Sequence, residues 1–225
     1  MSTPSARALA CGMAFLAGSV DVVGLARTGV FVSFMSGNTT TLGTALGKSD
    51  GMHAWTVGRV ILLFVAGAVL GALLAELAGG RHATVILVAA GMLLSLPLAR
   101  TGWTEAGLAL AMGVLTAATD RVGATGVSLT YVTGTLVKVA QGAGRWLAGR
   151  RGDAGWGLQL QLYFSFLAGA VSAAAAQARF GEAHLWALPA LALLLASAAA
   201  VLPPSPPRGP RPAANTIQSP AASPL

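Results

Sequence analysis

One carboxylate lies deep within an apolar stretch near the start of the chain. Asp21 stands among valines in a run that we predict to be helical. A charged side chain at the centre of a membrane helix costs about 2.5–3.5 kcal/mol, so it should face the protein and have a partner there. Its candidate partners are Arg27, Asn38 and free N–H groups of the following segment. Two interpretations stay open: a substrate-binding acid that carries a proton or cation, or an acceptor for backbone N–H groups at a helix end.

Two further segments combine hydroxyl, amide and glycine residues. Residues 29–47 and 126–144 each open with β-branched and aromatic residues, reach a Ser-Gly or Thr-Gly dipeptide, and continue in a helical pattern. We predict a broken segment in each case, an extended opening half followed by a half-helix. Non-helical backbone at membrane depth is tolerated only where it is buried in protein or faces water.

The two half-helices are expected to begin near Asn38 and at Gly134-Thr135. Their free N–H groups and positive dipole ends would then point into the protein and favour a midplane pocket for a small anionic or zwitterionic solute. The predicted binding residues are Asp21, Ser36, Gly37, Asn38, Thr39, Thr133, Gly134 and Thr135. For each residue alone a simpler interpretation is preferred, in which Ser36 or Asn38 caps a helix and the threonines bond back within it.

The elements that position these residues follow from the composition. The 225 residues are 55% hydrophobic and 9% charged, with a mean hydropathy of +0.71. Soluble chains have roughly a quarter of their residues charged, and the apolar runs here approach the ~20 residues that span a bilayer. We therefore predict an all-α polytopic membrane protein with six full transmembrane helices and the two broken segments. The predicted helices cover residues 8–26, 57–78, 84–99, 106–119, 158–178 and 185–202.

The order of elements repeats along the chain. Residues 29–37 align with 126–134, and residues 64–69 align with 166–171. Two internal repeats of about 7–100 and 104–202 are therefore predicted within a transmembrane domain of residues 1–202, as is common in transporters. The remaining residues, 203–225, form a Pro-rich tail that we expect to be disordered and cytoplasmic.

Several smaller features complete the two halves. Gly67 and Gly71 form a GxxxG motif, echoed by Gly169 and Ala173, which favours helix packing inside the monomer. Asp120, the second late-helix acid, is interpreted as interfacial, as are Glu76 and Glu182.

Scattered basic residues indicate the orientation. Of the 14 Lys and Arg residues, 10 lie on the side of the N-terminus and 4 on the other if the chain crosses eight times. With six crossings the split is 9 against 5. Both counts predict cytoplasmic termini in a bacterial inner membrane. Eight crossings, which make the repeats parallel, are mildly favoured over six, which make them inverted.

The sequence lacks the residues and motifs on which several other classes of function depend. The single cysteine, Cys11, excludes a disulfide framework, and the histidines His53, His82 and His184 lack metal-ligand spacing. No nucleophile–base pair, HExxH or P-loop appears, so we expect no enzyme, no metal and no cofactor. The charges form no stripe that would bind nucleic acid. The expected partners are the lipid bilayer and a small solute, and a homo-oligomer stays open.

Two blocks of residues carry a family resemblance. The first comprises Ala17-Gly18, Asp21, Gly29, Phe31, Met35-Ser36-Gly37-Asn38 and Leu42-Gly43. The second comprises Arg121-Val122-Gly123, Gly126-Val127-Ser128, Thr130-Tyr131-Val132-Thr133-Gly134-Thr135-Leu136 and Lys138. From Arg7 to Leu202 the chain resembles the YoaK-like bacterial multi-pass membrane proteins, a family named as a domain of unknown function. The resemblance implies an integral inner-membrane protein and no particular activity.

The chain departs from this family at one place. Members often carry a Gln-Asn pair shortly after the Met-Gly of the fifth helix, whereas Met112-Gly113 is followed here by Val114, Leu115 and Thr116. A site shared by the family would therefore be less polar in this protein. The sequence favours a small-solute transporter or permease whose site lies between the broken segments. The alternative is a membrane scaffold or accessory subunit that transports nothing.

Overall fold

Helices are the only regular secondary structure in the residues that the computed structural model describes, which are 4–99, 104–119, 132–149 and 156–203. These ranges contain the helices α1 (Pro4–Thr28), α2 (Met35–Gly47), α3 (Gly51–Ala78), α4 (His82–Leu94), α5 (Thr104–Thr119), α6 (Val132–Leu147), α7 (Trp156–Phe180) and α8 (Ala187–Val201). Short 3₁₀ turns lie at Gly79–Arg81, Leu96–Ala99 and Gly181–Trp186. The all-α class predicted from composition is confirmed for this part of the chain.

Three helical stretches among the described residues are long and apolar enough to cross a membrane: Pro4–Thr28, Gly51–Leu98 and Trp156–Val201. The second and third each contain two helices, because a glycine ends the first of them. Gly79 follows α3 and Gly181 follows α7, and both have a φ of +54°, a conformation that suits glycine at a helix C-terminus. The helix predicted for residues 84–99 ends earlier, at Leu94, and a 3₁₀ turn containing Pro97 follows it.

The helix of the first predicted broken segment begins earlier than expected. The non-helical residues are 29–34, and α2 begins at Met35 rather than near Asn38. No side chain caps this helix; instead the N–H groups of Met35 and Asn38 donate to the carbonyl oxygens of Ser33 and Phe34. The predicted caps at Ser36 and Asn38 are therefore wrong, because both residues lie inside the helix. The second half-helix, α6, likewise begins at Val132, two residues before Gly134.

Helices α1 and α7 cross closely and run in the same direction. A Cβ atom added to Gly18 would overlap the Phe166 carbonyl oxygen, and one added to Gly169 would overlap the Phe15 carbonyl oxygen. At the C-terminal ends of the two helices, Arg27 forms an ion pair with Glu182. Both helices therefore reach the same end of the bundle, which we call the Arg27 end.

Helices α3 and α5 form a second close, parallel pair. Added Cβ atoms would overlap the Leu110 carbonyl at Gly67 and the Phe64 carbonyl at Gly113. Near the N-termini of both helices, Arg59 forms an ion pair with Glu105. Small residues at both crossings let the backbones approach, which is how membrane helices gain packing energy where lipid is as apolar as the side chains.

The two parallel pairs run in opposite directions. Helix α1 packs against α5, and its last residues, Arg27 and Thr28, line one cavity together with Thr104 and Glu105 at the start of α5. Helix α5 therefore begins at the end of the bundle where α1 finishes. Large side chains that are fully buried fill the space around α1, α4 and α5, among them Met13, Leu16, Ile86, Leu87, Leu108, Met112 and Leu115.

Candidate solute site

Asp21 binds the non-helical segment that follows its own helix. Its Oδ1 atom accepts hydrogen bonds from the backbone N–H groups of Val32, at 3.1 Å, and Ser33, at 3.0 Å. Only 9% of Asp21 is exposed. Of the predicted partners, the free N–H groups are the ones that the structure provides.

Asn38 binds the same segment at one of its backbone carbonyl groups. Its Nδ2 atom donates to the Phe31 carbonyl oxygen at 2.6 Å and lies 3.8 Å from the Met35 sulfur. Asn38 is buried, with 2% of its surface exposed. Asp21 accepts from the segment and Asn38 donates to it, so these two side chains satisfy backbone groups that no helix or sheet pairs. Both contacts support the structural interpretation of these residues.

The threonine hydroxyl groups of α2 form hydrogen bonds within the helix. The Oγ1 atoms of Thr39, Thr40 and Thr41 donate to the carbonyl oxygens four residues earlier, at 2.8, 3.1 and 3.0 Å. All three threonines and Ser36 are exposed. At Gly37 the Phe34 ring occupies the position that a side chain would take. A larger residue there would push this ring aside, although Gly37 is not the residue at which the helix begins.

The second half-helix places its predicted residues on a different part of the bundle. Gly134 and Thr135 are buried and Thr133 is exposed. Helix α2 packs against α3, whereas α6 packs against α7. In the described residues α2 and α6 do not pack against each other. The structure thus brings Asp21 and Asn38 to one segment and leaves Thr133, Gly134 and Thr135 elsewhere. Asp120, Arg121 and the predicted extended half at 126–131 lie outside the described residues.

The predicted packing glycines lie at the helix crossings. Gly67 and Gly169 face carbonyl oxygens of neighbouring helices, and a Cβ atom at Gly71 would lie 2.7 Å from the Val114 carbonyl oxygen. Their partners Gly18 and Gly113 were not predicted. Neither forms a GxxxG motif with a glycine of its own helix, and only a comparison of the two crossings reveals them.

Sequence reasoning also missed a charged cavity at the Arg27 end. The cavity has a volume of about 320 Å³ and is lined by Arg27, Thr28, Thr104 and Glu105. The interfacial interpretation of Glu182 agrees with its exposure of 74%, but its pairing with Arg27 joins residues 155 positions apart. Charges that far apart in sequence carry no local signal of their pairing.

A second cavity of about 280 Å³ lies beside α2 and the start of α3. It is lined by Thr40, Thr41, Thr44, Ala45, Lys48, Asp50 and His53. Asp50 caps α3 by accepting from the His53 N–H, at 3.1 Å. The threonine hydroxyls bond within α2, so the remaining polar groups of this cavity are the side chains of Lys48, Asp50 and His53.

Two buried histidines lie in the connections between helices: His82 is the first residue of α4, and His184 lies in the 3₁₀ turn before α8. The Nδ1 atoms of His82 and His184 lie within hydrogen-bonding distance of the carbonyl oxygens of Gly79 and Gly181, three residues earlier in each case. In the part of the chain that the structure describes, no group of three His, Cys, Asp or Glu side chains could hold a metal ion. Both histidines therefore serve the turns that precede α4 and α8.

The fold is that of a membrane protein with several apolar helices, and comparison with known proteins agrees. Residues 9–198 match the family described as "Protein of unknown function (DUF1275)", and the chain belongs to this family. It is similar to the UPF0700 transmembrane protein RA0705 of Rhizobium meliloti (strain 1021), with 36% identity over 196 residues that cover 86% of this chain and 85% of the relative. The predicted resemblance is confirmed. No solved structure matches the chain.

Proposed function

We propose that the protein is a small-solute transporter or permease of the bacterial inner membrane, built from two inverted repeats of about 7–100 and 104–202. Each repeat contributes three membrane crossings and one half-helix that enters the membrane and returns. Both termini, including the tail at 203–225, are cytoplasmic in this proposal. Inverted repeats are a recurrent architecture of secondary transporters, in which one half rocks against the other around a central site.

One observation carries the proposal: the α1/α7 crossing recurs as the α5/α3 crossing. Gly18 and Phe15 of α1 correspond to Gly113 and Leu110 of α5, each 95 positions later. On the partner helices, Gly169 and Phe166 correspond to Gly67 and Phe64, each 102 positions earlier. Every close backbone contact of the first crossing thereby has a counterpart in the second.

The helix directions support six crossings over the eight that charge counting mildly favoured. Eight crossings would make α1, α3, α5 and α7 all parallel, whereas α1 ends where α5 begins. In the six-crossing arrangement α2 starts within the membrane and runs back toward the Arg27 end, where it turns into α3. Leu42 of α2 packs beside Gly58 of α3, as expected for such a hairpin.

The half-helix ends stay a candidate for the solute site, and the alternative function stays a membrane scaffold or accessory subunit. Because α2 and α6 pack on different helices, a single pocket between them needs a conformational change or a second subunit. The opposed directions of α1 and α5 favour the seam between these two helices as the path of the solute. An enzymatic role is not part of the proposal.

Reconstitution tests the proposal directly. Purified protein in proteoliposomes should exchange at least one radiolabelled solute from a panel of amino acids, carboxylates, amines and sugars, faster than empty liposomes do. The same solute should raise the melting temperature of the purified protein in a saturable way, because a ligand that binds only the folded state stabilises it. A folded preparation that neither exchanges nor is stabilised by any member of the panel would favour the scaffold.

A further inference from the structure

From the cavity at the Arg27 end we infer a binding site for a small zwitterionic solute of the α-amino acid class, which Arg27 binds by its carboxylate and Glu105 by its ammonium group. The inference rests on the proposed function and specifies its substrate class. It concerns residues that the sequence assigned to loops and helix ends.

The charges around the cavity are ordered. Two ion pairs flank it, Arg27 with Glu182 and Arg59 with Glu105. The inner member of each pair lines the cavity, and its side chain is more buried: 23% of Arg27 and 13% of Glu105 are exposed, against 74% of Glu182 and 47% of Arg59. A cation and an anion held by outer partners therefore stand in one small cavity. This arrangement complements a molecule that has one charge of each sign.

Both inner charges keep hydrogen-bonding capacity for a ligand. Arg27 bonds to Glu182 through one nitrogen, Nη2, and a guanidinium has five N–H donors, enough to bind a carboxylate through two of them. Glu105 accepts from Arg59 through Oε2, while its Oε1 atom is buried with no hydrogen-bond partner among the described residues. Because this oxygen has almost no accessible surface, the Glu105 side chain must turn toward the cavity before an ammonium group can bond to it, and that bond would then satisfy a buried acceptor.

The uncharged lining limits what can bind. The Thr28 hydroxyl already bonds to the Gly24 and Val30 backbone, so it adds no free donor. A volume of about 320 Å³ lies at the lower end of the roughly 300–1,000 Å³ of ligand pockets, which indicates a solute with a small side chain. Because the cavity lies between α1 and α5, a zwitterion in it would connect the two oppositely directed helix pairs.

The first test separates the two charges of the ligand. Glycine, alanine, serine, propionate and ethylamine are each titrated against the purified full-length protein while its melting temperature is measured. We expect a saturable rise with at least one of the three amino acids and none with propionate or ethylamine at equal concentration. The inference is overturned if no amino acid raises the melting temperature, or if propionate raises it as much as the amino acids do.

Variants assign the two contacts. Glu105→Gln and Arg27→Gln should each weaken binding of the active amino acid by about tenfold or more, since a hydrogen bond to a charged group contributes roughly 1.5–3 kcal/mol. Arg59→Gln should weaken binding less than Glu105→Gln does, because Glu105 keeps its charge and loses only its outer partner. This variant also controls for loss of the ion pair if Glu105→Gln is poorly folded. Weakened binding in Arg59→Gln equal to that in Glu105→Gln would overturn the assignment.

Two distant residues serve as matched controls. Arg81 follows α3 at the end of the bundle opposite the cavity, and Glu76 lies in the last turn of α3; both residues are exposed. Arg81→Gln and Glu76→Gln change the same charges away from the cavity and should bind as the wild type does. Loss of binding in these controls would show that binding depends on the net charge of the protein rather than on the cavity, and would overturn the site.

The site and the transport function fail in different ways. Zwitterion binding that depends on Arg27 and Glu105, without exchange in proteoliposomes, would support the binding site and contradict the transport function. Exchange of another class of solute, at the same rate in the Arg27→Gln and Glu105→Gln variants, would support the transport function and overturn the binding site.

Discussion

Gly67 and Gly169 occupy equivalent positions in two helix crossings, and each faces a backbone carbonyl oxygen of a neighbouring helix. The neighbour is α5 at Gly67 and α1 at Gly169. At neither place is there room for a methyl group. The two crossings hold the four helices α1, α3, α5 and α7 together, so their stability should depend on these glycines.

Gly169→Ala should destabilise the protein. The added methyl group overlaps the Phe15 carbonyl, which belongs to backbone and cannot rotate away, so we expect a loss of about 1–3 kcal/mol, as for other overpacked sites. Gly157→Ala in the same helix is the control, because nothing lies within 4 Å of its added Cβ. Melting temperatures of both variants in one detergent measure the difference. Equal values would show that α1 and α7 can separate at no cost.

Asp21 should tolerate asparagine better than alanine. Asparagine keeps an oxygen that can accept from the Val32 and Ser33 N–H groups, whereas alanine leaves both buried donors unpaired, at roughly 1–3 kcal/mol each. Asp21→Ala should therefore show the lower melting temperature. Proteoliposome exchange by Asp21→Asn then tests the other interpretation: a tenfold or larger loss in a well-folded variant would return Asp21 to the role of a proton or cation carrier.

Asn38→Asp should destabilise the segment at 29–34. Aspartate has nearly the shape of asparagine but no N–H donor, so it leaves the Phe31 carbonyl unpaired and adds a buried charge. Ser36→Ala, at an exposed position of the same helix, should have little effect. Limited proteolysis of the two variants, alongside their melting temperatures, reports on this segment. If Asn38→Asp resists proteolysis as well as the wild type does, Asn38 does not hold this segment in place.

Thiol labelling distinguishes six crossings from eight. In a Cys11→Ser background, a cysteine at Ser49, between α2 and α3, should react with a membrane-impermeant reagent added outside the cytoplasmic membrane. With eight crossings that position is cytoplasmic and stays unlabelled in intact cells. Ala148→Cys, after α6, should show the opposite behaviour, unlabelled in intact cells and labelled after permeabilisation. Protection of Ser49→Cys until permeabilisation would restore the eight-crossing arrangement.

The sequence by itself determined the class of the protein and most of its helices. Hydropathy is a local property, so six apolar runs predicted six helices to within a few residues in most cases, and glycines at helical spacing predicted where helices approach. The resemblance of its two motif blocks also identified the family. The non-helical residues 29–34 also fall within the half that β-branched and aromatic residues before the Ser-Gly dipeptide predicted to be non-helical.

The tertiary structure alone decided how these helices are arranged. The partner of Asp21 could have been Arg27, Asn38 or backbone N–H groups, and only the fold of residues 29–34 placed those N–H groups at its carboxylate. The start of α2 also moved to Met35, because the Phe34 carbonyl oxygen accepts the first helical bond, from the Asn38 N–H, which makes Phe34 the N-cap. The opposite directions of α1 and α5 and the pairing of Arg27 with Glu182 depend on contacts between residues far apart in the chain. Side-chain type and spacing encode the helices, whereas the packing of whole helices determines which of their charges meet.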